Sequence, residues 1–164
     1  MICIDLPHLD NIYLKGKEDK LLSRYYQYKQ LETKVSVKNK YSSNETFLKE
    51  SNIQIEFIEY SIEQLDRIHE LSERTNQLNF TKNRMSKEEL KELCSDSSNE
   101  VKLLHVKDNF GDYGIIGFYV KNNNELIHFV FSCRIMNMNI EQFVYAKLGF
   151  PKLKIVGNVA SVVS

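Results

Sequence analysis

The sequence predicts an α+β fold with a mixed, mainly antiparallel central sheet flanked by helices. Three observations lead to this prediction. An alternating strand pattern is followed by two capped helices, three apolar runs are then separated by turn residues, and one further helix precedes a short last strand. This order, preceded by helices at the N-terminus, is typical of an α+β domain.

The chain is predicted to form one compact domain with an N-terminal helical extension. Residues 1–52 are rich in lysine and tyrosine, and their pattern predicts helix, loop and helix packed on the domain. Residues 53–164 are predicted to form the main domain, because 164 residues are too few for two ordinary domains.

The first elements of the main domain have strand and helix-start signals. Residues 53–58 alternate apolar and polar side chains, as a half-buried strand does. Ser61 with Gln64, and Ser86 with Glu89, have the spacing of capping boxes, each followed by apolar residues at helical intervals. Two successive helices are therefore predicted after the first strand.

The second half of the chain is predicted to be an antiparallel meander. Its apolar runs cover residues 101–106, 115–120 and 126–131, and the connections between them are rich in asparagine, aspartate and glycine. Asn139 then begins a helix that Gly149 ends, and residues 153–156 form the last strand.

Composition excludes several classes of protein. Lys plus Arg and Asp plus Glu both total 22, so the chain lacks the excess positive charge that nucleic-acid binding needs. No apolar run is long enough to span a membrane, and the start does not have the pattern of a signal peptide. The three widely spaced cysteines, Cys3, Cys94 and Cys133, predict free thiols in a cytoplasmic, reducing environment, with no metal site.

Three local motifs resemble one known family. Residues 75–81 are similar to a Thr-Asn-Gln-Phe-Asn-Leu-Thr segment, and residues 108–117 to Asp-x-Phe-Gly-Asp-x-Gly-Leu-x-Gly. Residues 132–136, with Glu141 after them, resemble a Ser-Cys-Arg-Val-x element and its following glutamate. On these motifs, residues 53–157 resemble the C-terminal, acyltransferase-like domain of the FkbH-like proteins.

The resemblance implies a fold like that of the N-acetyltransferases (GNAT-like) and a role in polyketide-type biosynthesis. Full-length relatives carry a haloacid-dehalogenase-type (HAD-type) phosphatase domain upstream and load a glyceryl unit onto the phosphopantetheine thiol of an acyl carrier protein. This chain has no Asp-x-Asp pair for phosphatase chemistry, and it is predicted to be short at its C-terminus relative to the family. An acyl carrier protein and a HAD-type phosphatase domain are therefore the expected partners.

Cys133 and His128 are the candidate catalytic residues. A cysteine thiolate can accept an acyl group, and the neighbouring Arg134 would favour the thiolate. The alternative is a buried cysteine, because strand alternation would turn Cys133 the same way as Phe129 and Phe131. His128 is the general base by chemistry, but alternation places it on the opposite face, where a hydrogen-bonded polar residue on a partly covered sheet is the alternative.

Two groups of residues are candidates for substrate binding. Asn76, Gln77 and Asn79 offer amides to hydroxyl and amide groups, although the same side chains could instead stabilise the connector itself.

The second group lies where GNAT-like folds have an Arg-x-x-Gly-x-Gly loop that holds the pyrophosphate of a pantetheine carrier. Here that loop would be residues 134–139, with Arg134 first and with Asn137 and Asn139 in place of both glycines. Asparagine tolerates left-handed backbone, but its side chain fills space that the phosphate would need. No tightly bound cofactor is expected, and the arm of a carrier protein or coenzyme A is the expected ligand.

Two functions follow for the domain. The first is an acyltransferase that passes an activated acyl unit, such as a glyceryl unit, to the phosphopantetheine thiol of an acyl carrier protein. The second is a non-catalytic interaction module that docks a carrier protein or a separate HAD-type phosphatase.

Asp108 and Asp112 are expected to serve the turn between two strands rather than acid–base chemistry.

Overall fold

The computed structural model describes residues 18–41 and 43–161, with side chains from residue 25 onward. The chain divides into two compact units, residues 1–42 and residues 43–164. The described part of the first unit is one helix, α1 (Glu18–Lys38), followed by a turn. The prediction that residues 1–52 form an extension packed on the main domain stays a prediction, and residues 1–17 lie outside the described part.

The second unit contains the sheet and the remaining helices. Its elements are, in order, α2 (Asn44–Glu50), β1 (Gln54–Glu59), a 3-10 turn (Ile62–Gln64), α3 (Leu65–Arg74), α4 (Lys87–Ser95), β2 (Asn99–Asp108), β3 (Gly111–Asn122), β4 (Glu125–Phe131), a second 3-10 turn (Cys133–Ile135), α5 (Ile140–Lys147) and β5 (Lys152–Leu153).

The five strands form one mixed sheet in the order β1-β2-β3-β4-β5. The first four strands are antiparallel neighbours, and β5 runs parallel to β4 over Glu125 and Leu126. This arrangement confirms the predicted α+β fold with a mixed, mainly antiparallel sheet flanked by helices. Among the described residues, no helix has the length and apolar character to cross a membrane.

The predicted helix starts are present. Ser86 Oγ accepts the backbone N–H of Glu89 at 3.2 Å, and Glu89 Oε2 accepts the N–H of Ser86 at 2.8 Å, so both halves of this capping box are made. At the other box, Gln64 Oε1 accepts the N–H of Ser61 at 2.7 Å and the chain enters α3 through the 3-10 turn.

Two hydrophobic clusters cover the two faces of the sheet. The first packs α5 and its neighbours on one face, and the second packs α3 and α4 on the other. The fully buried members of the first include Leu78, Phe80, Phe129 and Phe131. Burial of apolar side chains on both faces of a sheet is the main stabilising term of such a fold.

The last strand is shorter than predicted. The sequence predicts a strand over residues 153–156, whereas β5 covers Lys152–Leu153. After Leu153 the chain no longer pairs with β4, and the Val156 N–H instead donates to the carbonyl of Phe80 at 2.9 Å. A segment between α3 and α4 has therefore taken the place beside β4.

We call residues 77–81 the sealing segment, because they cover the outer edge of β4 where β5 has left it. Phe80 N–H donates to the Phe129 carbonyl at 3.1 Å, and Phe131 N–H donates to the Leu78 carbonyl at 2.9 Å. Asn79 faces Val130 in an antiparallel bridge. The second half of β4 is thus hydrogen-bonded to the chain's own backbone.

Candidate functional site

Cys133 lies beyond the end of β4, in the 3-10 turn that follows it. The strand ends at Phe131, and Ser132 begins the turn, with its Oγ accepting the N–H of Arg134 at 3.4 Å. Strand alternation stops at Phe131, so the expectation that Cys133 is buried with Phe129 and Phe131 is wrong. The Cys133 side chain is exposed.

Arg134 is held only loosely by its own turn. Its side chain is partly buried, and its Nε donates to Ser132 Oγ at 3.4 Å, a long hydrogen bond. Burial lowers the pKa of Arg134 from its usual value, and the charge of Arg67 lowers it further, whereas Glu70 raises it. Arg67 and Glu70 both belong to α3, so the charges that act on Arg134 come from that helix.

Two residues of α3, Arg67 and Glu70, interact electrostatically with Arg134, and neither was predicted as a site residue. Arg67 Nη1 contacts Glu70 Oε2 at 2.8 Å, and Arg74 Nη1 contacts Glu70 Oε1 at 2.7 Å. We call Arg67, Glu70, Arg74 and Arg134 the arginine cluster. Three arginines and one glutamate give it a formal charge of +2.

The strand β3 holds both parts of the arginine cluster at one end of the sheet. Arg67 Nε and Nη2 donate to the carbonyl of Ile115 at 3.0 and 2.7 Å. The carbonyl of the next residue, Ile116, accepts the N–H of Ser132. Because two adjacent carbonyls of one strand anchor α3 and the Cys133 turn, the two are fixed relative to each other.

The electrostatics of Glu70 show how closely these charges interact. Burial raises the pKa of Glu70, but the hydrogen bond and charge of Arg67, with the charges of Arg74 and Arg134, outweigh burial and hold that pKa below its usual value. Glu70 is therefore a carboxylate that neutralises part of the cluster.

His128 is not placed beside Cys133. It is completely buried, its ring lies 5.6 Å from that of Phe118, and its Nε2 is 3.4 Å from Met85 Sδ. Its Nδ1 has no hydrogen-bond partner within the described part of the chain, and the face of the sheet at His128 is completely rather than partly covered, which corrects that part of the expectation. Burial lowers the pKa of His128 to about 4, and the ring is neutral at pH 7.

Asn79 stabilises the sealing segment. It is completely buried, its Nδ2 donates to the Ser72 carbonyl at 3.4 Å, and its Oδ1 accepts the N–H of Lys82 at 3.0 Å. Both ends of the amide therefore bond to neighbouring backbone, one to α3 and one to the connector, as the alternative interpretation expects.

Asn76 and Gln77 are exposed at the start of the same connector. Asn76 Oδ1 accepts a hydrogen bond from Arg84, and the Gln77 carbonyl accepts the N–H of Ala160 at 2.8 Å. The Gln77 side chain faces solvent. Substrate binding by these residues stays a prediction.

The loop after the Cys133 turn adopts the conformation expected of asparagine in place of glycine. Asn137 and Asn139 have φ values of 65° and 57°, both left-handed. Asn44 Nδ2 donates to the carbonyl of Asn137 at 3.1 Å, which ties this loop to α2. Binding of a pantetheine carrier or coenzyme A by Arg134, Asn137 and Asn139 stays a prediction.

Glu141, in the first turn of α5, is nearly completely buried at 2% exposure. Its Oε1 accepts the Ser161 hydroxyl at 2.5 Å, and its Oε2 has no hydrogen-bond partner within the described residues. A carboxylate at this position interacts favourably with the N-terminal end of the helix dipole. Residues 156–161 thus run from the sealing segment to α5.

Asp108 belongs to the turn between β2 and β3. Its Oδ1 accepts the N–H groups of Phe110 and Gly111 at 2.8 and 3.2 Å, and its Oδ2 accepts the Tyr113 hydroxyl at 2.9 Å. Asp112 Oδ1 likewise accepts the N–H of Gly114 at 2.7 Å. The expected turn role of both carboxylates is confirmed.

Two surface depressions lie away from these residues. One is beside the β3–β4 turn, and the other is between the first turns of α3 and α4. Neither is lined by a predicted site residue or by the arginine cluster.

The chain matches no family model, no curated protein and no solved structure. The site is therefore interpreted from its own geometry, which combines an exposed thiol, a fixed group of arginines and a strand edge that is already occupied.

Proposed function

We propose that residues 43–161 form a GNAT-like domain of the FkbH-like type that docks an acyl carrier protein without catalysing transfer itself. The three family-like motifs support this proposal, and so does the observed order of strands, with a helix between the parallel strands β4 and β5. A HAD-type phosphatase on a separate domain or chain is the second proposed partner.

One observation carries the docking proposal. The edge of β4 beyond Leu126, where a pantetheine arm would be expected to insert between β4 and β5, is occupied by the sealing segment. His128, the predicted base, is enclosed in the core. The accessible surface at this end of the sheet is the Cys133 turn with the arginine cluster, which supports binding from outside rather than chemistry inside a cleft.

The charge of the arginine cluster suits such a partner. A phosphopantetheine arm carries a phosphate, and a local charge of +2 attracts an anion over a distance of about one Debye length, roughly 8 Å at physiological salt. Arg74 is 68% exposed and Arg67 is 28% exposed, so the cluster reaches from the surface to the anchored turn.

Titration calorimetry with holo carrier protein tests the docking proposal. We expect binding that weakens at high salt, that is reduced by Arg74→Ala and Arg134→Ala, and that is unchanged in Cys133→Ala. Lys152→Ala is the matched control, because it removes a positive charge at the opposite end of β4. Absence of binding, or equal losses in Lys152→Ala and Arg134→Ala, would contradict the proposal.

Acyl transfer through Cys133 is a second candidate function, and the exposure of that thiol favours it. In this reaction the Cys133 thiolate attacks the acyl carbonyl of a thioester or acyl phosphate, and the bond to the leaving thiolate or phosphate breaks. The carrier thiol then attacks the Cys133 thioester and regenerates the free cysteine.

Intact-mass measurement separates the two functions. A single acyl adduct after incubation with the donor, lost in Cys133→Ala and retained in Cys94→Ala, would establish transfer. An unmodified protein that still binds holo carrier would leave docking as the function.

A further inference from the structure

We infer that α1 is a self-association surface, through which two copies of the chain pair as antiparallel helices. The surface is formed by Tyr25, Tyr28, Glu32 and Val35 along one face of α1, and we call these four residues the tyrosine stripe. The inference concerns the first compact unit of the chain and does not depend on the docking proposal.

The tyrosine stripe has the spacing of a seam between two helices. Steps of three, four and three residues separate its members, and this alternation keeps successive side chains on the face that a second helix contacts. Position 21, a leucine, continues the same spacing towards the N-terminus. Glu32 is the charged member of the stripe, and a single polar residue in such a seam fixes how two helices align.

The apolar members of the stripe are large and exposed. Tyr25, Tyr28 and Val35 are 53%, 67% and 58% exposed. The opposite side of α1 is the covered one, because Gln30 is half-buried and Lys34 is 8% exposed. Helices in proteins gain most of their stability from burying an apolar face, so a second helix laid on the stripe would stabilise α1.

The charges along α1 fit a second copy of the chain in the antiparallel direction. In an antiparallel pair centred on Tyr28, Glu32 lies opposite Arg24, and Lys38 lies opposite Glu18. By two-fold symmetry each of these complementary pairs occurs twice. In a parallel pair every charge would lie opposite its own counterpart, and the like charges would repel. This complementarity selects an antiparallel second copy as the occupant of the stripe.

The length of the stripe sets the strength of the association. From position 21 to position 35 it covers about two heptads, or roughly 21 Å of helix. A contact of this length belongs to the small, transient class of protein interfaces. We therefore expect a reversible equilibrium between monomer and dimer rather than a permanent dimer.

Sedimentation equilibrium of the full chain, from micromolar to millimolar concentration, tests the inference. Tyr28→Glu should weaken the dimer about tenfold or more, because a charge enters the centre of an apolar contact. Tyr26→Glu is the matched control, since Tyr26 is a similarly exposed tyrosine on the other side of the same helix, and it should dimerise like the unmodified protein. Circular dichroism checks that both variants keep the helix content of the unmodified protein.

Exchange of charges tests the direction of the pair. Glu32→Arg should weaken an antiparallel dimer, because an arginine then lies opposite Arg24 at both ends. Adding Arg24→Glu to that variant should restore the dimer. In a parallel pair the double exchange keeps like charges opposite each other, so an absence of recovery overturns the antiparallel arrangement.

Two further results would overturn the inference. A monomer at every concentration would leave the stripe to another segment of the same chain or to a different protein. A dimer that Tyr26→Glu and Tyr28→Glu weaken equally, or that neither change weakens, would show that association uses a different surface.

Discussion

The outer edge of β4 is covered in two different ways along its length. At its start, Glu125 and Leu126 pair in parallel with the two residues of β5, and Lys152 is exposed. At its end, the sealing segment pairs antiparallel and brings the completely buried Phe80 against the core. The comparison shows that β5 covers only the start of this edge, while the sealing segment covers the part that leads to Cys133.

Removing the aromatic side chain of the sealing segment should reduce the stability of the protein more than any other change considered below. The Phe80 ring lies 5.1 Å from the Phe129 ring and 6.4 Å from the Phe131 ring, and Phe80→Ala should destabilise the protein by about 3–5 kcal/mol. Leu153→Ala, in the partly exposed β5, is the matched change and should cost roughly 1–2 kcal/mol. Urea denaturation measures both, and equal losses would show that the two ends are equivalent.

His128 should make stability depend on pH. It lies between the two covered parts of the β4 edge, and burial lowers its pKa from 6.5 to about 4 in the folded protein. The unfolded chain therefore binds the proton first as pH falls. The stability from neutral His128 is complete above pH 6.5 and decreases towards pH 4 by about 3 kcal/mol.

Denaturation curves between pH 4 and pH 7.5 test this dependence. His128→Leu should remove most of the decrease, whereas His105→Gln, at a histidine paired with Asp112 near the surface, should retain it. A decrease of unchanged size in His128→Leu would contradict the prediction.

Adding a methyl group at Gly117, opposite the end of β4, should reduce the stability of the protein by an intermediate amount. A Cβ at Gly117 would lie 2.8 Å from Phe131 Cδ1 and 2.8 Å from the Val130 carbonyl oxygen. Gly117→Ala should therefore destabilise the protein by roughly 1–3 kcal/mol through overpacking. Phe131→Leu in the same chain should recover part of that loss beyond additivity, and strict additivity of the two changes would speak against the contact.

Cys133 should contribute least to stability. Cys133→Ser should change the free energy of unfolding by no more than about 0.5 kcal/mol, because the side chain is exposed. In a Cys3→Ser background, Cys133 should react rapidly with a disulfide reagent in the folded protein. Cys94, whose pKa burial raises to about 11, should react only on unfolding. Slow reaction of Cys133 would mean that it is covered.

Most of the fold could be predicted because its signals are local. Ser86 and Glu89 mark a helix start within four residues, and the alternation in β1 needs only its own side chains. Asparagine tolerates left-handed backbone, and Asn139 takes that conformation at the start of α5, although its side chain does not cap the helix as its position suggests.

The site could be predicted only in part because its geometry depends on distant pairing. The alternating pattern predicts that the strand continues through Cys133. In the structure Ser132 Oγ accepts the N–H of Arg134, and the strand ends before Cys133. The pairing of residues 78–80 with β4 joins segments about fifty positions apart and leaves no repeating pattern. Arg67 and Glu70 have the spacing of an ordinary surface ion pair on a helix, and only their electrostatic interaction with Arg134, far away in the sequence, sets them apart.

The sealing segment is hydrogen-bonded on both sides, and this has a kinetic consequence. The Phe80 N–H donates to the Phe129 carbonyl on one side, and the Phe80 carbonyl accepts the Val156 N–H on the other. Neither β4 nor the segment at Val156 can therefore move away from the sealing segment without breaking a hydrogen bond to Phe80. The backbone amide protons of Phe80, Phe131 and Val156 should exchange with deuterated solvent as one cooperative unit. Because the Cys133 turn directly follows Phe131, we expect its larger motions to require the opening of that unit.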